Sequence, residues 1–168
     1  MQRYTLAILV KNEFGVLNRV TSMFRRRMFN ISCLTVSETE SPRFSRITVI
    51  FDGEDQAKRQ LVSQLHKLPD IVGVKEFEKG ASVSSELMLI KMDYDAADRH
   101  AVLDLVDAFD AKILDYTRDA VVIQVTGDTP KIDAFIDLMR DYRILEICRT
   151  GVVSLERGAT VMRKVTKL

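Results

Sequence analysis

The sequence predicts an α+β protein made of two ferredoxin-like βαββαβ units in tandem. Three observations carry this expectation. Period-two and helical hydrophobic stretches alternate in the order strand, helix, strand, strand, helix, strand. The same order then returns over a second stretch of similar length. Between the two lies the only small, polar run of any length, Lys79-Gly80-Ala81-Ser82-Val83-Ser84-Ser85. Residue identity between the halves is negligible, so architecture repeats and sequence does not. The expected division is a first unit at residues 1–78, a linker at 79–85, a second unit at 86–157 and a basic tail at 158–168.

In the first unit, Tyr4, Leu6, Ile8 and Val10 alternate on one side of a strand over residues 3–10. Asn12 and Gly15 follow where the chain must reverse, since Asn suits caps and turns and Gly admits backbone angles that a β-carbon opposes. A helix over residues 15–28 then carries Val16, Leu17, Val20, Met23, Phe24 and Met28 on one stripe. Strand two runs from Ile31 to Ser37, Glu40-Ser41-Pro42-Arg43 supplies a turn, and strand three spans Phe44 to Phe51. Asp52-Gly53 breaks that strand. The second helix places Ala57, Leu61, Leu65 and Leu68 inward and ends at Pro69-Asp70, before a strand from Ile71 to Phe77.

The second unit opens with a strand over Glu86–Met92 and a helix over Ala97–Phe109 that directs Ala101, Leu105 and Ala108 inward. Strands over Lys112–Tyr116 and Val121–Thr126 lead to Gly127-Asp128-Thr129-Pro130. There Thr129 is expected to cap a helix with Pro130 in its first position. Ile132, Phe135, Ile136 and Met139 form that helix's inner stripe, and Ile144 to Leu155 forms a last strand region bent near Gly151. The turn Asp93-Tyr94-Asp95 lacks the Asn-x-x-Gly pattern of the first unit. The tail reads as a frayed terminus.

With 46% hydrophobic and 29% charged residues and a formal charge of +1, the chain has the composition of a soluble globular protein. It offers no electrostatic case for nucleic acid or an anionic membrane as main partner. No apolar run reaches the ~20 residues of a membrane span, and Met1-Gln2-Arg3-Tyr4 leads straight into a strand, so a cytoplasmic protein is expected. Cys33 and Cys148, far apart in apolar runs, are expected as buried, reduced thiols.

No catalytic constellation can be assembled. His66 and His100 lie on helix faces without a partner at metal-ligand spacing, and there is no phosphate loop or nucleophile elbow. Asp104, Asp107, Asp133 and Asp137 have the spacing of a wet helix face. Arg25-Arg26-Arg27 suits the C-terminal end of a helix, where cations complement the dipole. An RNA-binding module would share the βαββαβ order, but Leu34-Thr35-Val36 and Arg46-Ile47-Thr48-Val49-Ile50-Phe51 lack the exposed rings that stack bases. Asn12 has two readings: a helix cap or Asx turn, or an amide that joins the turn's N–H groups in holding a free amino acid.

The ordered set Asn12-x-x-Gly15-x-Leu17-x-Arg19-Val20, Phe24-x-x-Arg27-x-x-Asn30-Ile31 and Leu34-Thr35-Val36 resembles the amino-terminal ACT domain of acetolactate synthase regulatory subunits. The likeness continues in Gln64-Leu65-His66-Lys67-Leu68, in Glu86-Leu87-Met88-Leu89-Ile90-Lys91 and in Arg149-x-Gly151-Val152-Val153, so it covers nearly the whole chain. It implies a non-catalytic regulatory subunit that activates a catalytic (large) subunit and confers feedback inhibition by valine or a related branched-chain amino acid. It implies thiamine diphosphate, Mg and FAD in that partner and none in this chain. It also implies a homodimer through the ACT domains, with the effector held by Asn12, Gly15, Val16 and Leu17 of one chain and Asn30 and Ile31 of the other. Arg27 matches a family position and is a candidate contact to the partner subunit. The chain departs from the commoner family pattern at Cys33, where serine is usual, and at Ser32, where an acidic residue is frequent. Both changes leave the turn's shape intact. A stand-alone ACT sensor with another partner is the alternative reading.

Overall fold

In the first unit, strands whose apolar residues alternate every second position pair side by side, and two helices cover one face of the resulting sheet. A computed structural model describes residues 2–78, 80–93 and 99–162. Its elements run β1 (Gln2–Lys11), α1 (Val16–Arg26), β2 (Ile31–Glu38), β3 (Phe44–Gly53), α2 (Asp55–Leu65) and β4 (Ile71–Glu76). The antiparallel order β2-β3-β1-β4 leaves β2 and β4 at the edges. Tyr4, Leu6, Ile8 and Val10 of β1 meet Ile47, Val49 and Phe51 of β3 in one core with Val16, Val20, Met23, Phe24, Leu61 and Leu65. Each fully buried leucine or isoleucine there contributes about 1.5–3 kcal/mol.

The second unit repeats the plan with β5 (Ser82–Asp93), α3 (Arg99–Ala108), β6 (Lys112–Tyr116), β7 (Ala120–Gly127), α4 (Thr129–Met139) and β8 (Arg143–Arg149). Its sheet order is β6-β7-β5-β8, and β9 (Val153–Glu156) pairs with β5. Its core joins Met88, Ile90 and Met92 to Val121, Ile123 and Val125 under Val102, Val106, Ile132, Phe135 and Met139. Two antiparallel sheets, each with two helices, give the expected α+β class and tandem βαββαβ pattern.

Several expectations need correction. Strand β5 starts at Ser82, inside the stretch read as linker. Val83 and the neighbouring serines extend as strand because they gain a pairing partner. Among the described residues, those up to 83 group with 154–162 and, separately, those within 84–153 group together, so residues 154–157 belong with the first unit. Arg157–Met162 of the tail do not fray: the Arg157 N–H donates to Ala81 O at 2.9 Å. Residues 163–168 lie outside the described residues.

Helix α1 stops at Arg26, and Met28, with φ 55°, is 91% exposed instead of inward. Leu17 is 43% exposed. Helix α2 ends at Leu65, so Leu68 packs on the core from a turn. On α3 the buried residues are Val102 and Val106, while Ala101 and Ala108 are exposed. Two stripes one residue apart both had helical spacing there, and the larger side chains took the core. The expected start of that helix at Ala97 lies outside the described residues. Asp128, not Thr129, caps α4: its Oδ1 accepts from the Lys131 N–H at 3.0 Å. Cys33 is half-buried and Cys148 exposed, because both sit on edge strands with an open side; both are free thiols.

Candidate functional site

The link between β1 and α1 is built by one glycine and pinned from three sides. Gly15 adopts φ 78°, and its neighbour Val16 turns into the core as the first helical residue. A β-carbon at Gly15 would meet Arg19 Nη1 at 3.3 Å. Arg19 cannot easily yield, since its Nε donates to the buried Asp70 at 2.6 Å. Asp70 O in turn accepts the Lys11 N–H at 2.9 Å. The turn is therefore held at its base while its tip stays open: Phe14 there is fully exposed.

Asn12 does not cap the helix. Its Nδ2 donates to Glu38 Oε1 at 3.2 Å and to Pro42 O at 3.0 Å, and its backbone N–H donates to Arg43 O at 2.9 Å. The amide thus ties the turn to the β2–β3 hairpin. No side chain caps α1, and among the described residues the N–H groups of Leu17 and Asn18 find no acceptor. These are first-turn donors at the positive end of a helix. An exposed carboxylate ligand would find two N–H groups and a favourable dipole there.

Asn30 and Ile31 are elsewhere in the chain. They begin β2, whereas Glu38, the Asn12 partner, ends it. Eight residues of strand separate the two ends, roughly 25 Å at about 3.3 Å per residue. The structure therefore brings Asn12, Gly15, Val16 and Leu17 together and leaves Asn30 and Ile31 apart from them. The Ile31 end is ordered by Ser32, whose hydroxyl donates to Asp52 Oδ2 at 3.1 Å. Asp52 also accepts from Arg3 Nε at 3.1 Å, and these bonds, that from Arg3 foremost, hold its carboxyl below the usual range.

Residues of the resemblance motifs outside the predicted site complete the setting. Leu34 and Val36, 37% and 41% exposed, sit on the helix-side face of edge strand β2. Arg27, a resemblance-based candidate, is exposed and donates to Gln64 Oε1 at 3.1 Å. Among the described residues no group of His, Cys, Asp or Glu could hold a metal ion, and no helix is long and apolar enough to cross a membrane.

An open helix entry beside an edge strand, on a βαββαβ unit, is an arrangement that suits an ACT domain. Residues 6–73 match the model of the acetohydroxyacid synthase (AHAS) small subunit-like ACT domain, and residues 85–158 match that of the small subunit of acetolactate synthase. The chain belongs to the acetolactate synthase small-subunit family. It is 45% identical over 156 residues to an Archaeoglobus fulgidus protein named "probable acetolactate synthase small subunit", covering 93% of this chain and 98% of that one. It is 39% identical over 162 residues to the acetolactate synthase isozyme 3 small subunit of Escherichia coli, covering 96% and 99%. The crystal structure of the Thermotoga maritima acetolactate synthase small subunit superposes with a TM-score of 0.89 at 35% identity, over 95% of this chain and 100% of that one.

Proposed function

We propose that this chain is the regulatory subunit of acetolactate synthase, raising the activity of a catalytic subunit and making it subject to inhibition by valine. The effector lies between the Asn12–Leu17 turn of one copy and Asn30–Ile31 of a second. The observation that carries this reading is the position of the two half-sites at opposite ends of one free edge strand. If two copies pair antiparallel along β2 about a twofold axis, the Ile31 end of each meets the Glu38 end of the other. Asn30 of the second copy then arrives beside Asn12, and Leu34 and Val36 gain cover. Neither half suffices alone.

The chemistry of the half-sites suits an α-amino acid. The carboxylate takes the Leu17 and Asn18 N–H groups at the α1 dipole. Asn12 Oδ1 accepts from the ammonium, while the exposed Leu17 and the partner's Ile31 enclose a short branched side chain. Thiamine diphosphate, Mg and FAD belong to the catalytic subunit, whose chemistry this chain modulates. Because the site spans two copies, effector binding and dimer geometry form one equilibrium. A ligand that binds one geometry better shifts the assembly towards it.

The test is calorimetric titration of the full chain with valine, with lysine as control, alongside an acetolactate synthase assay with the catalytic subunit. Saturable heat with valine alone and valine-inhibited activity are expected. Asn12→Ala is expected to lose inhibition while retaining activation. Full valine sensitivity in Asn12→Ala would refute the site.

A further inference from the structure

A second recess lies in the first unit, on the sheet face opposite α1 and α2. Residues 154–162 cross this face: Lys75 Nζ pairs with Glu156 at 3.0 Å, and a β-carbon on Gly73 would meet Met162 O at 3.8 Å. Between strand and segment remains a cavity of about 320 Å³ walled by Leu9, Phe77, Leu155, Val161 and Met162. That is the lower range of small-molecule pockets. Thr39, Glu40, Lys75, Glu156 and Thr160 share the lining with these apolar side chains.

Arg46 borders this cavity and is the anomaly in it. Its Nη2 donates to Ser154 O at 2.7 Å, and its guanidinium carbon lies 5.6 Å from the Phe77 ring centroid. Its Nε is buried with no acceptor. A guanidinium offers five N–H donors, and among the described residues the chain accepts one of them. No carboxylate lies within ion-pair distance of it among the described residues. Glu156 is committed to Lys75, and Glu40 acts on Arg46 only through its field. Burial accordingly lowers the Arg46 pKa. A desolvated cation without a directly paired counter-charge costs free energy that, among the described residues, the Ser154 carbonyl, the Phe77 ring and the more distant Glu40 offset only in part, and such a group beside a cavity marks a place for a missing partner.

We propose that this recess binds a small aliphatic monocarboxylate, its carboxylate on Arg46 and its apolar body against Leu9, Phe77 and Met162. The site is separate from the Asn12 turn and is built entirely within one copy. The carboxylate completes the donor set of Arg46, forming charge-assisted hydrogen bonds in a poorly solvated setting. The roof is the segment 154–162, so occupancy would fix that segment on the sheet.

The probes are isovalerate and its uncharged analogue isovaleramide, titrated into the full chain by calorimetry with the bound state checked by NMR shifts of Met162 and Val161. Saturable isovalerate binding with a Kd of order 1 mM is expected for so small a ligand, with no saturation by isovaleramide. Arg46→Met should weaken isovalerate at least tenfold. Met162→Trp, which fills the recess without touching Arg46, should do the same and guards against a fold lost through Arg46→Met. Asn12→Ala should leave this binding unchanged. Absence of saturable binding, equal binding of the amide, unchanged affinity in Met162→Trp, or loss in Asn12→Ala would each overturn the proposal.

Discussion

Two helix entries of this molecule meet the same physical need in opposite ways. At α4, a first-turn N–H group is served internally: Asp128 accepts from Lys131 N–H, and beside it the Thr129 hydroxyl donates to Glu86 at 3.4 Å. Glu86 itself is buried, held by Arg149 through Nη2 at 3.0 Å, and the same guanidinium reaches Asp133 at 2.9 Å. The Glu86 carboxylate holds the Arg149 pKa above its ordinary value. At α1, by contrast, a glycine stands at the cap, Asn12 is drawn away to Glu38 and Pro42, and donors remain open. The second unit carries its own anions where the first leaves room for one. The open entry costs some helix stability, on the order of 1 kcal/mol for a missing cap, and it is there that the proposed effector would bind.

The comparison can be broken at its strongest point first. Arg149→Met strands Glu86 in the core and is expected to cost about 3–5 kcal/mol in urea unfolding of the full chain. A loss below about 1 kcal/mol would mean the Glu86–Arg149 pair is not structural. Gly15→Val forces a β-branched residue into a left-handed conformation and crowds Arg19, a cost of about 1–3 kcal/mol. Its valine response should vanish in the enzyme assay even at temperatures where it stays folded.

Asp128→Ala should cost about 1 kcal/mol, as a removed cap does, with the valine response intact; altered inhibition would show that the closed entry is regulatory after all. The smallest effect concerns pH. Tyr4 and then Lys58 hold the Asp55 carboxyl below its usual range. A carboxyl depressed in the folded state stabilises above its unfolded pKa and loses that contribution as pH falls through the folded value. Asp55→Asn should therefore narrow its stability gap to the parent chain as pH drops from neutrality to below about 4. A gap that is constant with pH would assign no role to the charge.

Much of this was legible in the residues. Tyr4, Leu6, Ile8 and Val10 marked the strand face that meets the core, although Ala7 and Leu9 are buried on the other face as well. Gly15 and Gly151 marked breaks, and both take positive φ, 78° and 79°. What escaped depended on distant partners. Nothing local says that Asn12 bonds residues 26 and 30 positions away, so cap and tether looked alike. Ala101 and Val102 occupy neighbouring faces with similar helical spacing, and only the facing side chains choose between them. The serines of 82–85 read as linker because the pairing that makes them strand comes from elsewhere in the chain. The docking of Arg157–Met162 rests on Ala81 and Gly73, again far away in sequence. The effector half-sites are an extreme case, since by this account they meet only across two chains.

The central claim is that the effector site is shared by two copies, and subunit complementation tests it most directly. Asn12→Ala and Asn30→Ala homodimers should each fail to bind valine by calorimetry. A purified heterodimer of the two variants carries one doubly altered site and one wholly native site, so it should recover binding at half the parental stoichiometry with near-parental affinity. A heterodimer as silent as its parents would contradict the shared site and place the effector within a single chain.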